Sequence, residues 1–117
     1  MRIFRKVVAF GDHFEVFLKT LPPKIQDKIF KIIEAIETLQ RVPAHYLKLV
    51  NAAHQLYEAR IQLGSNQWRV FCFFEDDKLV ILLHGFQKKT QKTPRKEMDK
   101  AIHLMSRYHE EKSGQKK

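Results

Sequence analysis

The chain has 117 residues, 44% of them apolar, with 22 lysines and arginines against 13 aspartates and glutamates, for a net charge of +9. That length suits one packed domain and not two, the apolar content excludes general disorder, and no apolar run approaches the roughly 20 residues a membrane span needs. The single cysteine, Cys72, can form no internal disulfide, and the positive excess attracts polyanions.

The N-terminal stretch MRIFRKVVAF has too short an apolar run for a secretory signal, so a cytoplasmic protein with no membrane partner is expected. Residues 3–10, rich in Val, Ile and Phe, predict a strand stopped by Gly11-Asp12, with Asp12 placed to cap the next element. Phe14, Phe17, Leu18 and Leu21 keep helical spacing until Pro22-Pro23 ends that helix and lets a second begin. Ile25, Ile29, Ile32, Ile33, Ile36 and Leu39 form the second stripe, opposite a solvent face of Lys24, Asp27, Lys28, Lys31, Glu34 and Glu37. After Val42-Pro43, residues 46–50 read as a short strand and 51–55 as a loop.

Alternation assigns faces to the later strands. In 56–63, Tyr57, Ala59, Ile61 and Leu63 share one face, and Leu56, Glu58, Arg60 and Gln62 the other. Gly64-Ser65-Asn66 turns the chain. In 67–75, Trp68, Val70, Cys72 and Phe74 oppose Gln67, Arg69, Phe71 and Phe73, so Arg60 and Arg69 meet if the register allows. Cys72 is expected as a small buried hydrophobe. Asp76-Asp77 turns again, and 78–86 is an apolar run covered on both faces, with His84 and Phe86 of one parity. Thr93 is placed to cap a last helix with Pro94 at its first position and Met98, Ala101, Ile102 and Met105 as its stripe. The order β-α-α-β-β-β-β-α predicts an α+β domain over 1–110 with a mostly antiparallel small sheet, two N-terminal helices and one C-terminal helix, followed by a polar, frayed tail at 111–117.

Lys88, Lys89, Lys92, Arg95 and Lys96 fall within nine residues that hold no acid, a cluster suited to nucleic acid, although a solvated loop leading into a helix has the same composition. Metal binding finds no support, because His13, His45, His54, His84, His103 and His109 lack ligand spacing and no cysteine pair helps them. There is no G-x-x-x-x-G-K-[ST], G-x-G-x-x-G or G-x-S-x-G, so no cofactor, nucleotide hydrolysis or serine chemistry is expected. The basic residues gather at a sheet end and its connection, which fits a helix-turn-helix DNA reader poorly.

The succession of Y-E-x-R, a Gly turn, W-R-V-F-x-F-F, an acidic turn, L-H-G-F and K-K-T-Q-K-T-P from Tyr57 to Pro94 resembles the RelE/HigB superfamily of type II toxins in its phage-associated branch. The resemblance implies that superfamily's topology, a groove over the sheet face bearing Arg60 and Arg69, and a toxin that cuts mRNA on the ribosome. It also implies a cognate antitoxin, often a helix-turn-helix protein. The tyrosine that some members carry late in the sheet has no counterpart here, and Tyr108 lies too far along the last helix. Two non-enzymatic alternatives stand beside it: a ParE-like inhibitor of DNA gyrase on the same fold, and a passive RNA-binding domain.

Metal-free RNA cleavage needs cations for the charge that builds on phosphorus when the 2′-OH attacks, and a proton for the leaving 5′-oxygen. Arg60 and Arg69 are the candidate guanidinium clamps, and Lys88 or Lys89 a further clamp. His84 is a candidate acid or base, Glu58 a candidate base, and Phe86 a ring for base stacking. Lys92, Arg95 and Lys96 are candidate docking residues. Each has a structural rival: Arg69 an interior arginine paired with Glu58, His84 a satisfied histidine, Phe86 plain core.

Overall fold

The computed structural model describes residues 2–115. Its elements in chain order are β1 (Lys6–Ala9), α1 (His13–Lys19), α2 (Pro23–Thr38), β2 (Leu47–Asn51), β3 (Leu56–Leu63), β4 (Asn66–Asp76), β5 (Leu79–Lys88) and α3 (Arg95–Gln115). They form the expected α+β order around one five-stranded sheet, β1-β5-β4-β3-β2, in which only β1 with β5 is parallel. Among the described residues no helix is long and apolar enough to cross a membrane.

Strand alternation gives the sheet two apolar faces, and each acquires its own helical cover. Tyr57, Ala59, Ile61, Trp68, Val70, Cys72, Val80 and Leu82 pack with Phe14 of α1 and with Ile25, Ile29 and Ile36 of α2. Leu56, Phe71, Phe73, Ile81, Leu83 and Phe86 pack with Ala101, Leu104 and Met105 of α3. The facing predicted for β3 and β4 holds on both sides. Cys72 is fully buried as expected, and that burial, with the nearby Glu58 charge, pushes its thiol up to about 12.

Several boundaries differ for physical reasons. The first strand is shorter than 3–10 because Arg5 turns to α2, where its guanidinium donates to the carbonyls of Ile36, Leu39 and Gln40 at 2.8, 2.7 and 2.5 Å. With no basic residue in its own last turn, α2 receives from Arg5 the charge that suits a helix C-terminus. Asp12 sits at the N-cap of α1 but makes no side-chain cap bond. Thr93 is no cap either, since the first α3 amides bond to the Pro94 carbonyl and the Thr93 hydroxyl donates to Glu58 at 3.1 Å. The tail expected to fray is helical through Gln115, held where Lys112 Nζ donates to Glu75 Oε1 across to β4. Residues 116–117 of that tail lie outside the described residues. Finally, β5 extends to Lys88, so Lys88 belongs to the sheet and not to the connection beyond it.

Close approach of α1 to β5 depends on Gly85, where a Cβ would overlap ring carbons of Phe17. Gly85→Ala should therefore destabilise the fold by about 1–3 kcal/mol through forced repacking. Gly114→Ala, in a helix with open space around it, should be neutral or slightly stabilising. Urea denaturation of both variants checks this, and a Gly85→Ala midpoint equal to wild type would contradict the close packing.

Candidate nucleic-acid interface

A two-residue loop, Gly64-Ser65, closes the β3–β4 hairpin with Gly64 at φ +62°, a conformation that favours glycine. With Leu63 opposite Asn66, every further pair is determined: Gln62 faces Gln67, Arg60 faces Arg69, and Glu58 faces Phe71. Across β5, Gln67 faces Lys88 and Arg69 faces Phe86. Arg60 and Arg69 thus meet, as alternation allowed. Their row lies toward the Gly64-Ser65 end of the hairpin, where Phe86 on β5 completes it under α3.

Arg69 and Glu58 are each only 2% exposed. The Arg69 Nε donates to Glu58 Oε2 at 3.1 Å, its Nη1 to the Trp68 carbonyl at 3.0 Å, and its Nη2 to Gln67 Oε1 at 2.6 Å. Glu58 also accepts from Thr93 and lies 3.7 Å from Arg60 Nε. Burial lowers the Arg69 guanidinium below its ordinary range, with the Glu58 charge opposing and Arg60 adding to the shift. These bonds correct two expectations. The Arg69 guanidinium is enclosed with its N–H groups directed to Glu58, Trp68 and Gln67, and the Glu58 carboxylate is enclosed with its oxygens engaged by Arg69 and Thr93, so neither faces the open surface. Both residues are the interior ion pair that was their structural rival.

The groups left open lie beside that pair. Arg60, Ser65, Gln67, Lys88, Lys89, Thr90 and Gln91 line an open depression of about 490 Å³. The Arg60 side chain is 31% exposed, Lys88 half-buried and Lys89 exposed. Burial and the Arg69 charge lower the Lys88 ammonium below the usual lysine range; Glu58 opposes, and Arg60 and Lys48 add to the lowering. Lys48, which sequence reasoning passed over, sits on β2 directly opposite Glu58. Gln67 and Thr93 were missed as well. The register that the Gly64-Ser65 loop imposes would have found Gln67, but nothing local marks Thr93 as a partner for a residue 35 positions away. Lys92, Arg95 and Lys96 are exposed on the loop and first turn of α3, outside the depression, with Arg95 3.9 Å from Asp99.

His84 and Phe86 do not join this group. A bulge opposite Phe71 lets Leu83, His84 and Phe86 all turn toward α3. His84, 3% exposed, has its Nε2 3.3 Å from Glu97 Oε1, and its buried Nδ1 has no partner among the described residues. Burial and Lys100 lower its pKa below the ordinary 6.5, against the opposing Glu97. Its surroundings are His13, Thr20 and Lys100, not the basic depression. Phe86 is 8% exposed and stacks on Phe71 with centroids 5.5 Å apart, so its ring has no free face for a base. No group of three His, Cys, Asp or Glu side chains that could hold a metal occurs among the described residues.

Arg69→Ala leaves the Glu58 carboxylate buried without its main partner and should cost about 3–5 kcal/mol. Arg60→Ala and Lys88→Ala, at open positions, should each cost less than about 1 kcal/mol. Denaturant unfolding checks the contrast, and an Arg69→Ala protein as stable as Arg60→Ala would refute the buried pair.

His84 enters the folded state neutral, while an unfolded histidine titrates near 6.5. Since its folded pKa is depressed, the stability it contributes is complete above that value and lost as pH falls toward the lower folded one, at up to about 1.4 kcal/mol per pH unit. His84→Gln keeps a donor for Glu97 and removes the titration. Wild type should lose more stability than this variant on acidification below about pH 6.5, and parallel curves would refute the assignment.

Residues 16–106 match the family described as phage derived protein Gp49-like. No curated protein matches the chain in sequence. Among solved structures, RelE in the archaeal RelE–RelB complex from Pyrococcus horikoshii OT3 superposes with a TM-score of 0.56 at 18% identity, over 74% of this chain and 98% of that one. The family match runs from α1 into α3 and so includes every strand that lines the depression and the buried pair beneath it. On that ground the chain belongs to the phage-derived Gp49-like family, a family of RelE/HigB-type toxins, and has a RelE-like fold.

Proposed function

We propose that this chain is the toxin of a toxin–antitoxin pair and a metal-independent endoribonuclease that cuts mRNA on the ribosome, in the cytoplasm, by attack of a ribose 2′-OH on the adjacent phosphorus. The observation that carries the reading is the convergence of Arg60, Lys88 and Lys89 on one open depression whose nearest carboxylate, Glu58, is buried and already paired. Arg60 and Lys89 stabilise the charge that develops on the phosphoryl oxygens. Lys88, made more acidic than an ordinary lysine by burial and its cationic neighbours, gives its proton to the leaving 5′-oxygen as the P–O5′ bond breaks. The 2′-OH proton passes to solvent water, and a 2′,3′-cyclic phosphate is left. Lys92, Arg95 and Lys96 add long-range attraction at the rim.

So small a set of acid–base groups suits a substrate that is oriented by something else, and the ribosome provides that by holding mRNA in place. The antitoxin partner is supported by the pairing of RelE with RelB in the similar structure, and a helix-turn-helix antitoxin is our expectation. Relative to the assignment from sequence, the catalytic set loses Glu58, Arg69 and His84 and keeps Arg60, Lys88 and Lys89, and the RNA-binding set loses Phe86.

The test is induction without antitoxin, with reporter mRNA 5′ ends mapped while translation runs or is blocked. Cleavage only during translation is expected. In single-turnover reactions on programmed ribosomes, Arg60→Ala and Lys88→Ala should each lose about a hundred- to a thousandfold in rate at saturating substrate. Alanine at Lys92, Arg95 or Lys96 should instead weaken binding and lower the salt slope by about 0.7–0.9 per contact. Growth arrest with intact mRNA and altered DNA supercoiling would replace this reading with gyrase inhibition.

A further inference from the structure

We propose that Gln67 is a fixed hydrogen-bond donor to the substrate phosphodiester, and that the depression it lines reads phosphate oxygens and not bases. The inference deepens the nuclease reading and rests on it for the identity of the ligand, a single-stranded RNA backbone. It stands on the direction of one amide.

A carboxamide can present either its oxygen or its NH2 to a neighbour, and at Gln67 the neighbour decides. The Arg69 Nη2 lies 2.6 Å from Gln67 Oε1. A guanidinium has only donors, so the opposite orientation would set N–H against N–H. Arg69 is itself held in place by Glu58 and the Trp68 carbonyl. The Gln67 oxygen is therefore committed inward. Its Nε2 makes no side-chain bond among the described residues and is not a buried orphan, which leaves two N–H groups for whatever occupies the depression.

The strand-borne side chains of this depression offer the same polarity. Arg60, Gln67 and Lys88 present donors alone, and Lys89 follows them immediately. Groups able to accept, those of Ser65, Thr90 and Gln91, belong to the flanking turns, and the Thr90 hydroxyl is directed to the Lys92 carbonyl. Among the described residues no aromatic ring lines the depression. Phe86 and Trp68, the nearest by sequence, are buried. Base edges carry mixed donors and acceptors, and bases without a ring to stack on are weakly held, whereas a phosphodiester carries acceptors only. An anion here also relieves the crowding of Lys88 by Arg69, Arg60 and Lys48.

The test is an NMR titration of the full chain with uniform 15N label, following the Gln67 side-chain NH2 resonances. The probes are inorganic phosphate, the four nucleosides, and single-stranded deoxy-trinucleotides of each base, which lack the attacking 2′-OH. Phosphate and all four trinucleotides should shift the Gln67 resonances, with affinities that agree within a factor of about 3, as backbone recognition demands. Nucleosides at the same concentration should leave them unmoved. Gln67→Glu keeps an oxygen for Arg69, so the buried network survives, but turns the donor into an anion and should weaken trinucleotide binding at least about tenfold.

Wild-type affinity in Gln67→Glu, binding of free nucleosides, or a preference for one base by more than about tenfold would overturn the inference. Trinucleotide binding as described, with mRNA left uncut on the ribosome, would sustain the phosphate site and overturn only the nuclease reading. Cleaved mRNA with unmoved Gln67 resonances would do the reverse.

Discussion

The buried contact between Glu58 and Arg69 constrains more of this molecule than any other single interaction. Neither charge could stay inside alone, since an uncompensated buried ion costs several kcal/mol, so each secures the other and both recruit further partners. Glu58 on β3 accepts from Arg69 on β4 and from Thr93 in the connection to α3, and holds Arg60 at 3.7 Å. Arg69 in turn sets the direction of Gln67. One pair thus ties two strands to the start of the last helix and orders the floor of the depression beside it.

This arrangement also shapes the electrostatics. The net charge of +9 attracts a polyanion from a distance, but recognition needs cations that are not neutralised locally. Burying Glu58 takes the nearest carboxylate out of reach of a ligand while its charge still offsets part of the repulsion on Lys88. Arg60, Lys88 and Lys89 therefore stay open at a surface that the fold can tolerate. The helices serve the same end from either side, α1 and α2 over one apolar face and α3 over the other, while Arg60, Lys88 and Lys89 stay open around the depression.

The fold was largely legible in the residues. Periods of two and of 3.6 separated strands from helices, and because both sheet faces are apolar the facing of β3 and β4 could be read residue by residue. The site was legible only in part. Arg60, Lys88 and Lys89 stood out by charge and position and remain the open groups. Arg69, Glu58, His84 and Phe86 stood out equally, and nothing in a local pattern distinguishes a buried arginine at the end of a strand from an exposed one. The cap assigned to α3 failed because a distant partner intervened, Thr93 giving its hydroxyl to Glu58.

By itself, the order of apolar and polar residues determined an α+β domain with a five-stranded sheet, the two faces of its central strands and a basic end. The register was left open by that order and was decided by the folded hairpin, where the turn closes on Gly64-Ser65 alone and Asn66 pairs with Leu63. Tertiary structure alone decided which of the candidate charges meet water. That outcome depends on which side chains α3 and its connection cover, on the bulge that carries His84 and Phe86 under the same helix, and on the contact of Arg69 with Glu58. Burial is a property of surfaces brought together from distant parts of the chain, and no local spacing encodes it.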